Sequence, residues 1–300
     1  MTARAAHAGA GAARKAAAHE GAGAFWLIAP ALVLLGVFLL LPYLNIIVMS
    51  LRVPAVGAPY GPGFTLANYV KALSDGYFLG VLLDTLLLGL LTTVICLVLG
   101  YPVAWHLART RSRWSGLLYV FVLSPLLVGV VVRSFGWLIL LSNNGVINKA
   151  LLDLHLVDSA LQLMNNRFGV TVALVHVFLP FMILPLVGTI GSIDPNLESA
   201  GRSLGATRLQ VFRRIYLPLS WPGIQAGSIL VFVLTLSAYV TPVMLGGAQL
   251  KTMSVLVVQS LIDNFQWPRG AALALILAAC GAAAVALYAR ATRGLMRGIE

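Results

Sequence analysis

The sequence predicts an all-α integral membrane protein of six transmembrane helices, with a cytoplasmic insert between the fourth and the fifth. Three observations lead there. Hydrophobic residues make up 60% of the 300 and charged residues 10%, with a mean hydropathy of +0.93. Soluble domains average about 45–50% apolar and about 25% charged. Six apolar runs are each long enough to cross the hydrocarbon, which takes about 20 helical residues. The basic residues also alternate in density from one inter-span segment to the next.

Taken in order, residues 1–24 are Ala/Gly-rich with a few charges and read as a flexible cytoplasmic tail. The run Phe25–Leu51 is too long for a cleaved secretory signal and no small-residue cleavage site follows it, so it is read as a retained span. The second and third spans are Phe78–Leu107 and Leu117–Leu141, and the fourth is Phe168–Ile193. With no water in the bilayer core, each must be a helix with its backbone bonds satisfied internally. Pro125, Pro180 and Pro185 are tolerated because neighbouring helices re-satisfy the freed carbonyls; they act as hinges or simply shape packing. The insert occupies 194–218, followed by spans at Trp221–Leu245 and Pro268–Tyr288. The Gly/Ala-rich sixth span (Gly270–Ala291) reads as a close-packing face rather than a pore. The six-span domain is thus 25–291, and 292–300 a short cytoplasmic tail.

The net charge of +11 is explained by placement. With the N-terminus in the cytoplasm, thirteen Lys and Arg fall on cytoplasmic segments and six on the other side, with Arg133 inside a span. The positive-inside rule accounts for that asymmetry and puts both termini in the cytoplasm. No nucleic-acid partner is needed. Cys96 and Cys280 lie inside spans, so neither a disulfide framework nor a thiol metal motif is implied. His106, His155 and His176 share no helical face at ligand spacing, and no metal or haem site is expected.

The insert carries its own helix punctuation. Asp194-Pro195 offers an N-cap followed by proline at the first helical position. Leu197, Ala200, Gly201 and Leu204 recur at i, i+3, i+4 and i+7 as one smooth face. Glu198 and Arg202 form an i, i+4 pair. Gly205 is placed to end that helix in a left-handed conformation. A second helix restarts at Thr207, which with Gln210 fits a capping box. Its apolar residues Leu209, Val211, Phe212, Ile215 and Tyr216 gather on one side and are expected to be exposed for something to cover. An amphipathic connector lying on anionic lipid is one reading. A protein-docking element is the other, and only it needs a glycine break followed by a fresh capping box.

The insert resembles the signature loop of ATP-binding-cassette importer permeases, whose pattern is E-A-A, three residues, Gly, nine residues, then I-x-L-P. Here the matching positions are Ser199-Ala200-Gly201, Gly205 and Ile215-Tyr216-Leu217-Pro218. Ser199 stands where the pattern has Glu and Gly201 where it has the second Ala, and Glu198 lies one residue earlier. In that family the first short helix is the coupling helix, seated in a groove of a cytoplasmic ATPase. The resemblance therefore implies ATPase-coupling roles for Leu197, Glu198, Ser199, Ala200, Gly201, Leu204, Gly205 and Ala206, with Ile215, Leu217 and Pro218 closing the loop. FTLANYVKAL (64–73), LGYPVAWHLAR (99–109), LSNNGVIN (141–148) and YVTPVMLGG (239–247) resemble the polyamine-type branch of these permeases.

Ionisable residues inside spans are functional candidates because unpaired charge in hydrocarbon is costly. Asp84 and Arg133, with Tyr239 and Thr241, are candidates for a translocation path. The alternative places Asp84 and Arg133 near the outer interface, snorkelling or paired, with each other among the options. No G-x-x-x-x-G-K-[ST] loop, G-x-S-x-G or H-E-x-x-H occurs. Hence the chain is expected to be a non-catalytic transport subunit that binds no cofactor, with ATP and magnesium on a partner ATPase dimer. The resemblance further implies a second permease subunit in a heterodimer, an extracytoplasmic solute-binding protein, a bacterial inner-membrane location, and a small polar solute such as spermidine or putrescine. A stand-alone secondary transporter is the alternative; it would show internal repeats and charged half-helices at midplane.

Overall fold

The computed structural model describes residues 28–55, 57–110, 112, 114–247 and 250–296, with side chains described as far as Thr292. The 1–24 tail, the first three residues of the first span, Arg111, Arg113 and residues 297–300 lie outside the described residues.

Helix α1 (Ile28–Ser50) leads into a two-stranded antiparallel hairpin of β1 (Arg52–Val53) and β2 (Gly61–Phe64). The hairpin is the one departure from an all-helical chain among the described residues. Asn68 pins it by donating from Nδ2 to the carbonyls of Ser50 and Arg52, both at 2.9 Å. Asn68 sits on α2 (Ala67–Ser74), and Asp75 then caps the long α3 (Gly76–Arg109) by accepting from the Tyr77 amide.

The predicted third span is not one helix. It divides into α4 (Ser115–Leu127) and α5 (Val130–Leu141), with Val128 and Gly129 extended between them. Pro125 lies inside the last turn of α4 rather than at the break; it has no N–H to give the Phe121 carbonyl, which instead accepts from Ser124 Oγ at 3.2 Å. Next come α6 (Val146–Asp153), α7 (Arg167–Gly191) and α8 (Asn196–Ser203). Helix α9 (Arg208–Leu219) contains a π turn at Phe212–Tyr216, just before Pro218. Wider winding there accommodates the proline ring, which crowds the carbonyl four residues back.

The predicted fifth span is also interrupted, at Ala238-Tyr239. It yields α10 (Trp221–Ser237) and α11 (Val240–Leu245). Helix α12 (Met253–Asp263) and the long α13 (Trp267–Met296) complete the chain, so the expected 292–300 tail starts as helix. By length and composition five helical stretches among the described residues can cross a membrane: α1, α3, Val130–Asp153, α7 and α13. There are six if α9 and α10, bent by 62°, make one span.

The centre of the bundle is the contact of α3, α7 and α10, where Cys96, Ala104, Met182, Leu186 and Val231 are fully or almost fully buried. Small residues let these backbones approach. A Cβ on Gly227 would lie 2.7 Å from Met182 Sδ, and one on Gly223 would lie 2.6 Å from Thr189 Oγ1. Gly223 and Gly227 thus form a small-xxx-small stripe by which α10 crosses α7. The sixth span packs closely too: a Cβ on Gly281 would meet Leu236 Cδ1 at 2.9 Å. Helix α1 is the exception. None of its apolar window is buried, and Phe38 is 75% exposed.

Candidate functional site

The insert folds as two helices around a rigid corner. Asp194 Oδ1 accepts from the Asn196 amide at 2.9 Å to start α8. Gly205 has φ +81°, the left-handed conformation that glycine adopts without cost. The Ala206 amide donates to the Gly201 carbonyl and the Gly205 amide to the Arg202 carbonyl. That pairing is a Schellman motif, which satisfies the terminal carbonyls. At Thr207 both capping-box bonds form, Gln210 N–H to Thr207 Oγ1 and Thr207 N–H to Gln210 Oε1.

Much of the apolar face that the sequence left to be covered is covered by the chain itself. Val211 and Tyr216 are buried with Ile193, packed against Trp105, Ala206, Phe212, Ile215 and Leu219. The Tyr216 ring meets Trp105 edge-on at 4.1 Å, and the Arg109 guanidinium lies 4.7 Å above it. Gly201 faces inward, where a Cβ would sit 3.1 Å from Ile215 Cδ1. Leu217 and Pro218 are half-buried. What remains outside is a tip: Leu204 at 89% exposure, Leu209 at 60%, Leu197 at 43%, with Ser199, Ala200 and Gly205 exposed between them.

Glu198 braces the two helices. Its Oε2 accepts from the Tyr216 hydroxyl at 2.7 Å and its Oε1 from Arg202 at 2.5 Å. The Tyr216 hydrogen bond, helped by the charges of Arg202 and Arg109 and opposed by burial, holds the Glu198 carboxyl below the usual carboxylate range. Sequence reasoning missed Trp105, Arg109 and Tyr216 as the seat of the insert. The available signal was the i, i+4 stripe Tyr101, Trp105, Arg109 at the end of α3.

The path candidates divide into two groups. Asp84 forms an ion pair with Arg167 in the first turn of α7, not with Arg133; both side chains are nearly half exposed. Arg133 lies in α5, where its Nε and Nη1 have no hydrogen-bond partner among the described residues. Next to it, Ser134 Oγ shares a 2.9 Å hydrogen bond with Thr241 Oγ1, joining α5 to α11 and burying Thr241. One turn on, Trp137 Nε1 donates to His176 Nδ1 at 3.2 Å. Tyr239 stands at the α10–α11 break, 37% exposed. The structure therefore gathers Arg133, Tyr239 and Thr241 on neighbouring elements and leaves Asp84 with Arg167. Among the described residues no cluster of metal-ligating side chains occurs.

Residues 25–297 match the family described as binding-protein-dependent transport system inner membrane component. The chain belongs to that family. It is 36% identical over 237 residues to the spermidine/putrescine transport system permease protein PotB of Escherichia coli (strain K12), covering 79% of this chain and 86% of that one. It is 30% identical to the PotB of Haemophilus influenzae, covering 88% of this chain and 92% of that one. Its fold is similar to a chain of a bacterial alginate ABC transporter solved with a pentasaccharide-bound periplasmic protein. There the TM-score is 0.77 at 17% identity, covering 92% of this chain and 97% of that one. This chain is accordingly a multi-pass inner-membrane permease of an ATP-binding-cassette importer.

Proposed function

We propose that this permease carries a small organic cation of the polyamine type and is driven through its insert by a separate cytoplasmic ATPase. The observation that carries the coupling role is the tip of α8. Leu204 is almost fully exposed on a corner held by the Schellman motif, the capping box and the Glu198 brace. A rigid support under an exposed apolar knob suits a joint that transmits force. Burying one such side chain in a partner groove contributes about 1.5–3 kcal/mol. Leu204→Asp is therefore expected to cut uptake at least tenfold and strip the ATPase from the purified complex, leaving the spans folded. Full ATPase retention by that variant would overturn the joint. Gly201→Leu is the poorer probe, because its bulk collides with Ile215 and Val211 within the chain.

The solute class rests on the spermidine/putrescine relatives and on Asp84. Partly exposed ion pairs contribute about 0–1 kcal/mol, so Asp84→Asn should leave assembly and basal ATP hydrolysis intact. If Asp84 attracts the cation, uptake of labelled spermidine by Asp84→Asn falls several-fold at low substrate. Unchanged uptake would confine Asp84 to its pair with Arg167.

The chain itself is the non-catalytic half of the machine. An extracytoplasmic binding protein delivers solute, and a second, different permease chain completes the path. The apolar window of α1, none of it buried against the rest of the chain, supports a neighbour within the membrane. Both termini and the insert face the cytoplasm, on the strength of the charge asymmetry. Single cysteines at Ser112 and Thr207, in a background lacking Cys96 and Cys280, should resist an impermeant thiol reagent in intact cells. Cysteines at Gly57 and Ser159 should react. Labelling at Thr207 from outside would reverse the orientation.

A further inference from the structure

Two neighbouring cavities share a wall where the insert meets α3. The first, about 550 Å³, is apolar and runs along Leu97, Val98, Tyr101, Trp105, Phe212 and Ile224. The second, also about 550 Å³, is lined among others by Arg109, Arg202, Arg208, Glu198 and Tyr216. Trp105 and Phe212 line both, edge to face at 6.0 Å. Along α3 the residues 97/98, 101, 105 and 109 succeed one another a turn at a time. The two cavities thus follow one another along α3, the apolar one first and the one with the cationic lining after it.

Three arginines and one acid line that end, so its positive charge is only partly compensated. Glu198 is the acid in the lining, and its two oxygens are already taken by Arg202 and Tyr216. Neither Arg109 nor Arg208 is in a salt bridge among the described residues, and Arg109 Nε and Nη2 have no hydrogen-bond partner there. Arg109 is half-buried over the Tyr216 ring and Arg208 is exposed, and planar carboxylates or phosphates suit guanidinium groups best. A soluble anion would not need the apolar cavity, whereas Val98, 66% exposed, leaves that cavity open at the surface of a helix apolar enough to span a membrane.

We propose that the two cavities together form a site for one anionic phospholipid of the leaflet on the insert's side. Its phosphate sits among Arg109 and Arg208, and an acyl chain lies along Leu97, Val98 and Tyr101. Bound there, the lipid ties α3 to α9 beneath the joint. The site stands apart from the coupling role, since it requires only that the chain span a membrane.

The test uses the purified transporter complex and a photoactivatable phosphatidylglycerol, with the matching phosphatidylcholine as control. Crosslinks are mapped by mass spectrometry to residues 97–109. Phosphatidylglycerol should label this stretch at least tenfold more than phosphatidylcholine, and excess inorganic phosphate should not displace it. Arg109→Gln with Arg208→Gln should abolish the preference. Val98→Trp, which fills the apolar half and leaves every arginine in place, should suppress labelling by both lipids. Arg208→Gln alone should reduce the preference even if the double variant does not assemble. Equal labelling by the two lipids, displacement by phosphate alone, or full labelling of Val98→Trp would each overturn the proposal.

Discussion

Gly227→Leu is expected to prevent the bundle from closing, with little folded permease recovered from the membrane. A Cβ at this position would lie 2.7 Å from Met182 Sδ and 3.2 Å from the Met182 carbonyl oxygen, and Met182 is itself fully buried. The sulfur could shift only into neighbours already in contact, and the backbone cannot shift without moving α7. Overpacking a tight contact costs about 1–3 kcal/mol, and a leucine adds three carbons beyond the Cβ. Each 1.4 kcal/mol is about tenfold in the folded population. Gly223→Val should act alike, since its Cβ would lie 2.6 Å from Thr189 Oγ1, a hydroxyl held by its 2.9 Å bond to the Pro185 carbonyl. Gly80→Leu is the control: nothing lies within 4 Å of its added Cβ, so it should melt like the parent. A Gly227→Leu permease with the parent's thermal midpoint in detergent would refute the close crossing of α10 and α7.

Gly205→Val is expected to leave the spans intact and disable coupling. No atom lies within 4 Å of the added Cβ, so the cost is conformational alone. With φ at +81°, a side chain there costs about 1–2 kcal/mol, more when β-branched. The local remedy is to unwind the corner, which breaks the Ala206-to-Gly201 and Gly205-to-Arg202 bonds and swings Leu204 away. Uptake should fall at least tenfold with unchanged membrane yield and thermal midpoint. Gly205→Asn, which tolerates the left-handed region, should retain most activity. Normal transport by Gly205→Val would mean that the corner's geometry does not carry the coupling.

The sequence by itself determined what depends on composition and local pattern. The apolar excess and the run lengths required membrane helices. The insert's punctuation was legible because caps are local: the Gly205 corner and the Thr207/Gln210 box each involve residues within a few positions of one another. Helix continuity was less legible. The third run breaks at Val128-Gly129, past Pro125, and Ala238-Tyr239 divides the fifth, yet Pro180 and Pro185 pass within an unbroken α7. Whether a freed carbonyl finds a new donor is a question of neighbours, not of spacing. Only the tertiary structure decided which faces were already taken. Periodicity places Gly201 and Leu204 on one stripe. Contact with Val211 and Ile215 turns Gly201 inward and leaves Leu204 as the exposed point. Likewise Asp84 finds its cation 83 residues away, in Arg167, and Glu198 meets Tyr216 across 18. A chain brings such groups together only by packing helices, and no local rule names the helix that will arrive.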